Sequence, residues 1–331
     1  MRYTFLALVS LLFYSCASQS PKINGVSFVA SPQKIDTKHV TPLVNLNANW
    51  AAVMPFGYIK SLNTPKVIFN IERQWWGERY EGAKQTITLL QNQGISVMLK
   101  PQIWVWHGAF TGNIDMETEE DWQLLERTYA DFILLYAKLA EEMQIPLLCI
   151  GTELHTFVQK RPQFWEELIT QIRKQYTGKL TYAENWDQIN NVPFWQDLDY
   201  IGIDAYFPLS EGKSPKVEEL RLSWQKHKVA ISELNKKTKT PILFTEYGYR
   251  SIDYNAKKPW DTKRTPNNTN MEAQTNALIA IYEEFWQEDW FAGGFLWKWF
   301  HNHTESGGTL DNRFTIQNKP AQNITKKYYA Q

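Results

Sequence analysis

IPLLCIGTEL (145–154) and PILFTEYGYR (241–250) share one plan: a short apolar, strand-like run that ends in a glutamate, Glu153 in the first and Glu246 in the second. A carboxylate placed directly after a buried strand emerges at the strand's C-terminal mouth, where parallel α/β folds build their sites. One strand-end glutamate is as easily a solvated loop charge or an ion-pair partner, as most glutamates are. Two of them, set among aromatic segments, point to an acid and a nucleophile brought together at one end of a sheet.

Runs of the same kind recur outward from these two: INGVSF (23–28), NWAAVMPF (49–56), ISVMLKPQIW (95–104), PLLCIG (146–151), KLTYAENW (179–186), YIGIDAYF (200–207), PILFTEYG (241–248) and GGFLWKWF (293–300). Segments of helical period separate them. The clearest covers about 119–143, where Trp122, Leu125, Tyr129, Phe132, Ile133, Tyr136, Leu139, Ala140 and Met143 recur at three- and four-residue spacing behind a Thr118 cap paired with Asp121. A second runs from Met271 to about Glu288 behind Asn270. Strands alternating with helices imply βα units around a parallel sheet. Eight such strands imply an α/β fold made of a single (β/α)8 TIM barrel spanning residues 22–331. The stretch 187–198 is short, polar and contains Pro193, so the fifth crossover is expected to be abbreviated. No Pro/Gly/Ser-rich spacer divides the chain.

The balance of 35 basic and 35 acidic residues leaves no field to attract nucleic acid. The 15 Trp, 16 Tyr and 17 Phe are an unusual share; most of these rings fill the core, but those at strand ends or in loops are the side chains that stack on the apolar faces of sugars. Aromatic or long loops follow several strands: RQWWGERY (73–80), WVWHGAF (104–110), 251–270 and HNHTESGG (301–308). No P-loop, dinucleotide fingerprint or nucleophile elbow occurs, and His107, His155, His301 and His303 lack any metal-ligand spacing, so neither cofactor nor metal is expected.

MRYTFLALVSLLFYSC opens the chain with one early Arg and an apolar run too short to span a bilayer, a secretory signal over 1–15. It resembles a bacterial lipoprotein signal in which Cys16 is lipidated and 16–21 form a short tether, which implies an exported protein anchored to a membrane and facing the periplasm or the cell surface. The alternative for Cys16 is a disulfide to Cys149, the chain's other cysteine, although Cys149 sits in the apolar run LLCI where a buried thiol is at home.

GTEL, FTEYGYRS and FLWKWF, taken together, resemble glycoside hydrolase family 113, within the large clan of retaining (β/α)8 glycosidases. The resemblance covers most of the chain from about residue 22. It implies Glu153, after strand four, as acid/base and Glu246, after strand seven, as nucleophile. It further implies an endo-β-1,4-mannanase-like activity on β-mannan or glucomannan, Tyr206 as a hydrogen-bond partner of the nucleophile, and Trp297 as the platform beneath the sugar at the cleavage point. The wider clan carries Asn before the acid/base; here that position is Thr152. From their places at strand ends, Asn185, Trp186, Trp104, Trp106 and His107 are candidates to line a cleft, and Arg73, Trp75 and Trp76 are weaker candidates for distal subsites. Lys100 and Lys298 lie in strand-like runs, where an unpaired charge is costly, and partnership with a sugar or carboxylate in the barrel mouth would resolve that cost. Asp204 precedes Tyr206 by two and shares its strand face. The expected partner is a polysaccharide or oligosaccharide, bound by a monomer; the rival expectation is a surface glycan-binding protein that keeps the barrel and no longer hydrolyses.

Overall fold

A computed structural model describes residues 21–263, 265–266 and 268–331; the expected signal segment and Cys16 lie outside the described residues. The strands are β1 (Ile23–Phe28), β2 (Trp50–Val53), β3 (Phe56–Ile59), β4 (Ile68–Phe69), β5 (Ser96–Leu99), β6 (Gln102–Val105), β7 (Leu147–Thr152), β8 (Lys179–Asn185), β9 (Tyr200–Asp204), β10 (Ile242–Tyr247) and β11 (Phe291–Trp299). In the order β1-β11-β10-β9-β8-β7-β5-β2 the parallel strands close a barrel. Each of the eight apolar runs read from the sequence supplies one of them.

Two runs supply a second strand as well. NWAAVMPF and ISVMLKPQIW were each expected to be one strand, but each breaks at a proline, Pro55 and Pro101, which has no N–H to give to a ladder. Beyond the break, β3 and β6 leave the barrel and pair in parallel, with β4 added antiparallel to β3, making a three-stranded sheet at the barrel mouth. Pairing crosses the break without a gap, because Lys100 N donates to Val53 O at 2.8 Å and Gln102 N to Pro55 O at 2.9 Å.

The helices are α1 (Thr37–Asn45), α2 (Tyr80–Gln91), α3 (Glu119–Glu142), α4 (His155–Lys160), α5 (Pro162–Arg173), α6 (Val217–Thr238), α7 (Met271–Phe285) and α8 (Pro320–Tyr329). α3 buries the stripe that its periodicity announced, from Trp122 through Tyr129 and Tyr136 to Ala140, and Thr118 Oγ1 accepts from Asp121 N at 3.1 Å at its start. α7 begins on Asn270, whose Oδ1 accepts from Ala273 N at 2.9 Å, and ends at Phe285, short of the expected Glu288. Between β8 and β9 the chain makes only two single-turn 3-10 segments, Ile189–Asn191 and Trp195–Asp197, the abbreviated crossover expected around Pro193.

Most of the core lies between barrel and helices, where Trp165, Trp224 and Trp299 are fully buried. A smaller plug of Ile23, Ala52, Met98, Leu147, Cys149, Ala183, Leu243 and Phe295 fills the barrel interior. Cys149 is a free, buried thiol, the small hydrophobe its run suggested. Toward the C-terminal strand ends the buried side chains become polar: Lys100, Glu184, Asp204 and Glu246.

Gly151, just ahead of Thr152 and Glu153, is fixed by close approach. A Cβ there would stand 2.8 Å from Tyr129 Oη, 2.9 Å from the Trp165 ring and 2.9 Å from Tyr182 Cε2, all buried with no room to yield. Gly151→Ala is therefore expected to destabilise the fold by about 1–3 kcal/mol through overpacking, measured as a lowered midpoint of urea unfolding.

Candidate active site

Glu246 is the penultimate residue of β10, and in the sheet register it lies beside Asp204 at the end of β9, which in turn lies beside Asn185 at the end of β8. Three donors converge on its carboxylate: Lys100 Nζ at 2.5 Å and Gln102 Nε2 at 3.2 Å on Oε1, and Tyr206 Oη at 2.9 Å on Oε2. Burial, reinforced by the charges of Glu246 and Asp204, holds the Tyr206 phenol well above its ordinary pKa, so it remains a donor. Burial alone would lower the pKa of Lys100, but the charges of Asp204 and Glu246 outweigh it and keep the ammonium protonated. Lys100 thus finds the carboxylate partner expected of it. Its Nζ is also 3.5 Å from Asp204 Oδ1, and both side chains are shut off from solvent. Asp204 receives Thr245 Oγ1 at 2.7 Å, and its carboxyl is pushed up to about 7 by burial and by the charge of Glu246, with Lys100 opposing.

Glu153 follows β7 with a left-handed backbone, φ +50°, a conformation that a non-glycine residue keeps only when its surroundings impose it. They do so at three points. Glu153 N donates to Ala183 O at 2.8 Å, Thr111 Oγ1 donates to Glu153 O at 3.1 Å, and the next amide, Leu154 N, donates to Tyr182 Oη at 2.8 Å. The carboxyl pKa of Glu153 is held well above the usual range, first by burial and then by the charges of Asp204, Glu246 and Glu184, with Lys100 opposing. One carboxyl is therefore set among three donors, while burial and neighbouring carboxylates raise the pKa of the other, so the two stand in different environments.

Both glutamates line one cavity of about 670 Å³. Of the residues singled out from the sequence, Trp104, Asn185, Trp186, Tyr206 and Trp297 line it too, while Lys100 and Asp204 lie beneath its floor. Trp106, His107, Arg73 and Trp75 are exposed and outside the lining. The Lys298 ammonium lies 5.3 Å from the ring centroids of both Trp297 and Phe300 and feels the charge of Glu246, with no direct ion pair among the described residues. Among the described residues no group of His, Cys, Asp and Glu could hold a metal ion.

Four participants were not singled out beforehand. Gln102 is two positions from Lys100 around Pro101, so the argument that placed Lys100 in the mouth extends to it. Glu184, fully buried within KLTYAENW and pushed up to about 7 by burial, is a costly charge in a strand of the same sort. Tyr182 donates to Glu184 Oε2 at 3.3 Å as well as anchoring Leu154 N, but nothing in its run distinguishes it from a core tyrosine. Trp260, in the 251–270 loop, stacks on Trp186 at 5.6 Å and 28°, a contact that has no periodic signal.

A closed (β/α)8 barrel carrying two environmentally distinct glutamates at one mouth, inside an aromatic cavity, is the architecture of a carbohydrate-cleaving enzyme. The chain belongs to Glycoside Hydrolase Family 113, whose model matches residues 32–319. Among solved structures it is similar to a family 113 β-mannanase from Alicyclobacillus acidocaldarius in complex with ManMIm, at 23% identity and TM-score 0.82 over 94% of this chain and 97% of that one. It is also similar to a family 113 β-1,4-mannanase at 22% identity and TM-score 0.79, over 94% and 99% of the two chains. A β-glucuronidase from Ruminococcus gnavus shares the fold at 12% identity and TM-score 0.61, over 93% of this chain and 49% of its own. No curated protein sequence matches the chain.

Removing the phenol that faces Glu246 isolates one of its three donors. Tyr206→Phe is expected to lower kcat by about 10- to 100-fold, the equivalent of one hydrogen bond to a charged group, with little change in the unfolding midpoint.

Proposed function

We propose that the protein is a retaining glycoside hydrolase that cleaves β-1,4-linked mannan or glucomannan by double displacement. The observation that carries the reading is the split between the two glutamates: Glu246 faces three donors, while Glu153, which lines the same cavity, has its carboxyl pKa raised by burial and by neighbouring carboxylates.

In the first step a Glu246 oxygen attacks the anomeric carbon, the bond to the leaving oxygen breaks, and Glu153 gives that oxygen its proton. The buried negative charge passes from Glu246 to Glu153 as this happens. In the second step Glu153, now a carboxylate, takes a proton from water as the water attacks the same carbon, and Glu246 is released. Tyr206 and Gln102 orient the nucleophile, and the Lys100 ammonium favours return of its charge. Aromatic rings that line the cavity, Trp104 on β6 and Phe110 after it, with Trp186 and Trp260 stacked on each other, suit a chain of sugars whose apolar faces stack. Support for mannan over other β-glycans comes from the similar solved structures, which are β-mannanases.

The chain's opening supports export and attachment to a membrane through a lipid on Cys16, placing the enzyme at the periplasmic face or the cell surface. Labelling cells with a fatty acid is expected to mark the wild-type chain and not Cys16→Ala; equal labelling of the two would refute the anchor.

The direct test of the reaction is product analysis on mannan, glucomannan, xylan and β-glucan. Wild-type protein is expected to release oligosaccharides from the first two. Glu246→Ala should lose turnover by at least about a thousandfold while still binding manno-oligosaccharides, since removal of a nucleophile spares the stacking platforms. Full activity in that variant would sink the mechanism.

A further inference from the structure

Lys100 faces two carboxylates, and the double-displacement reading uses only one of them. Its ammonium is 2.5 Å from Glu246 Oε1 and 3.5 Å from Asp204 Oδ1, with no solvent reaching any of the three beyond a slight exposure of Glu246. When Glu246 becomes a glycosyl ester its charge is gone, and a buried ammonium left with no counter-ion is costly. Asp204 remains where it was. Thr245 Oγ1 fixes its Oδ1 at 2.7 Å, β9 and β10 hold it in register with Glu246, and its Oδ2 is buried without a partner among the described residues.

We propose that Asp204 is a positioning residue for this reaction: it keeps the Lys100 ammonium in place while Glu246 is esterified, and it holds negative charge beside Glu153. This rests on the double-displacement reading. The step balances without any added reactant. The Glu246 oxygen forms the ester bond, the glycosidic bond breaks with its electrons passing to the leaving oxygen, the Glu153 proton joins that oxygen, and Lys100 keeps all its protons, exchanging its nearer counter-ion for the farther one.

The charged groups that face Glu153 are Asp204 from β9, Glu246 from β10, Glu184 from β8 and Lys100 after β5. Those that face Asp204 are Glu246 and Lys100, with the Cys149 thiol of β7 also nearby and kept neutral by burial. The sign is then determined. The acid form of Glu153 is needed for the first step, so activity falls as pH rises through its pKa, and Asp204's negative charge raises that pKa. Taking the charge away moves the loss to lower pH.

The experiment is the pH profile of kcat/KM on a manno-oligosaccharide for the wild type, Asp204→Asn, Asp204→Glu and Thr245→Val, each checked for folding by circular dichroism. In Asp204→Asn the basic limb is expected to move to lower pH by roughly one unit, kcat to fall more than KM changes, and Asp204→Glu to return the limb toward its wild-type position. Thr245→Val, which removes the hydrogen bond that favours the Asp204 anion, should move the limb in the same direction by less and serves if Asp204→Asn does not fold. A limb that stays in place in folded Asp204→Asn, or that shifts equally in Asp204→Glu, overturns the proposal. If Glu246→Ala retains turnover the double-displacement reading falls first and takes the proposal with it, whereas an inactive Glu246→Ala beside an unmoved limb overturns the role of Asp204 alone.

Discussion

The contact between the Lys100 ammonium and the Glu246 carboxylate, closed off from water inside the barrel mouth, is the constraint from which the rest of the site follows. Two opposite charges taken out of water lose solvation that their attraction repays only when the geometry is good and the remaining hydrogen-bonding capacity is met. Here Gln102, Tyr206 and Asp204 meet it, the first from the junction of β5 and β6 and the other two from the end of β9, while Glu246 itself stands at the end of β10. Only a closed barrel in correct register brings those ends together, so the pair makes fold and site interdependent. A strand slipped by one residue would turn one of these side chains to the opposite face and leave a charge uncompensated.

Much of the architecture was legible because barrel strands announce themselves twice, as apolar runs and by what stands at their ends. All eight runs became barrel strands, and the stripes of α3 and α7 started on the caps that Thr118 and Asn270 offered. The sequence misled at Pro55 and Pro101, where an unbroken apolar run hid a change of sheet. Apolarity reports burial, and the small sheet also buries part of its residues, Ile59, Ile103 and Val105 among them; the proline was the physical signal, since it cannot donate to a central ladder.

In the site, legibility followed cost. A lysine within a strand is expensive enough to demand a partner, which is why Lys100 stood out and did find Glu246. Lys298, a lysine in a strand of the same kind, lies against the rings of Trp297 and Phe300, since aromatic faces also attract an ammonium. Tyr182 and Trp260 were not readable at all. One acts through a hydroxyl on the backbone after Glu153 and the other through a ring across a loop, and each depends on neighbours far away in sequence.

The two walls of the cavity are built by different means. One rises from the small sheet, so Trp104 rests on paired strands. The other is the 251–270 loop, which hangs on the buried Arg250: its guanidinium donates to Lys263 O at 2.6 Å, Asp261 O at 3.3 Å, Thr265 Oγ1 at 3.1 Å and Asn312 O at 3.2 Å. Three of these four acceptors are main-chain carbonyls, which every residue type provides. The strap therefore tolerates almost any spelling of the loop it holds, and the outer wall with Trp260 can drift in sequence while the charged floor of Lys100, Asp204 and Glu246 stays untouched. Evolution can thus retune the length of the glycan this enzyme grips separately from the chemistry it performs.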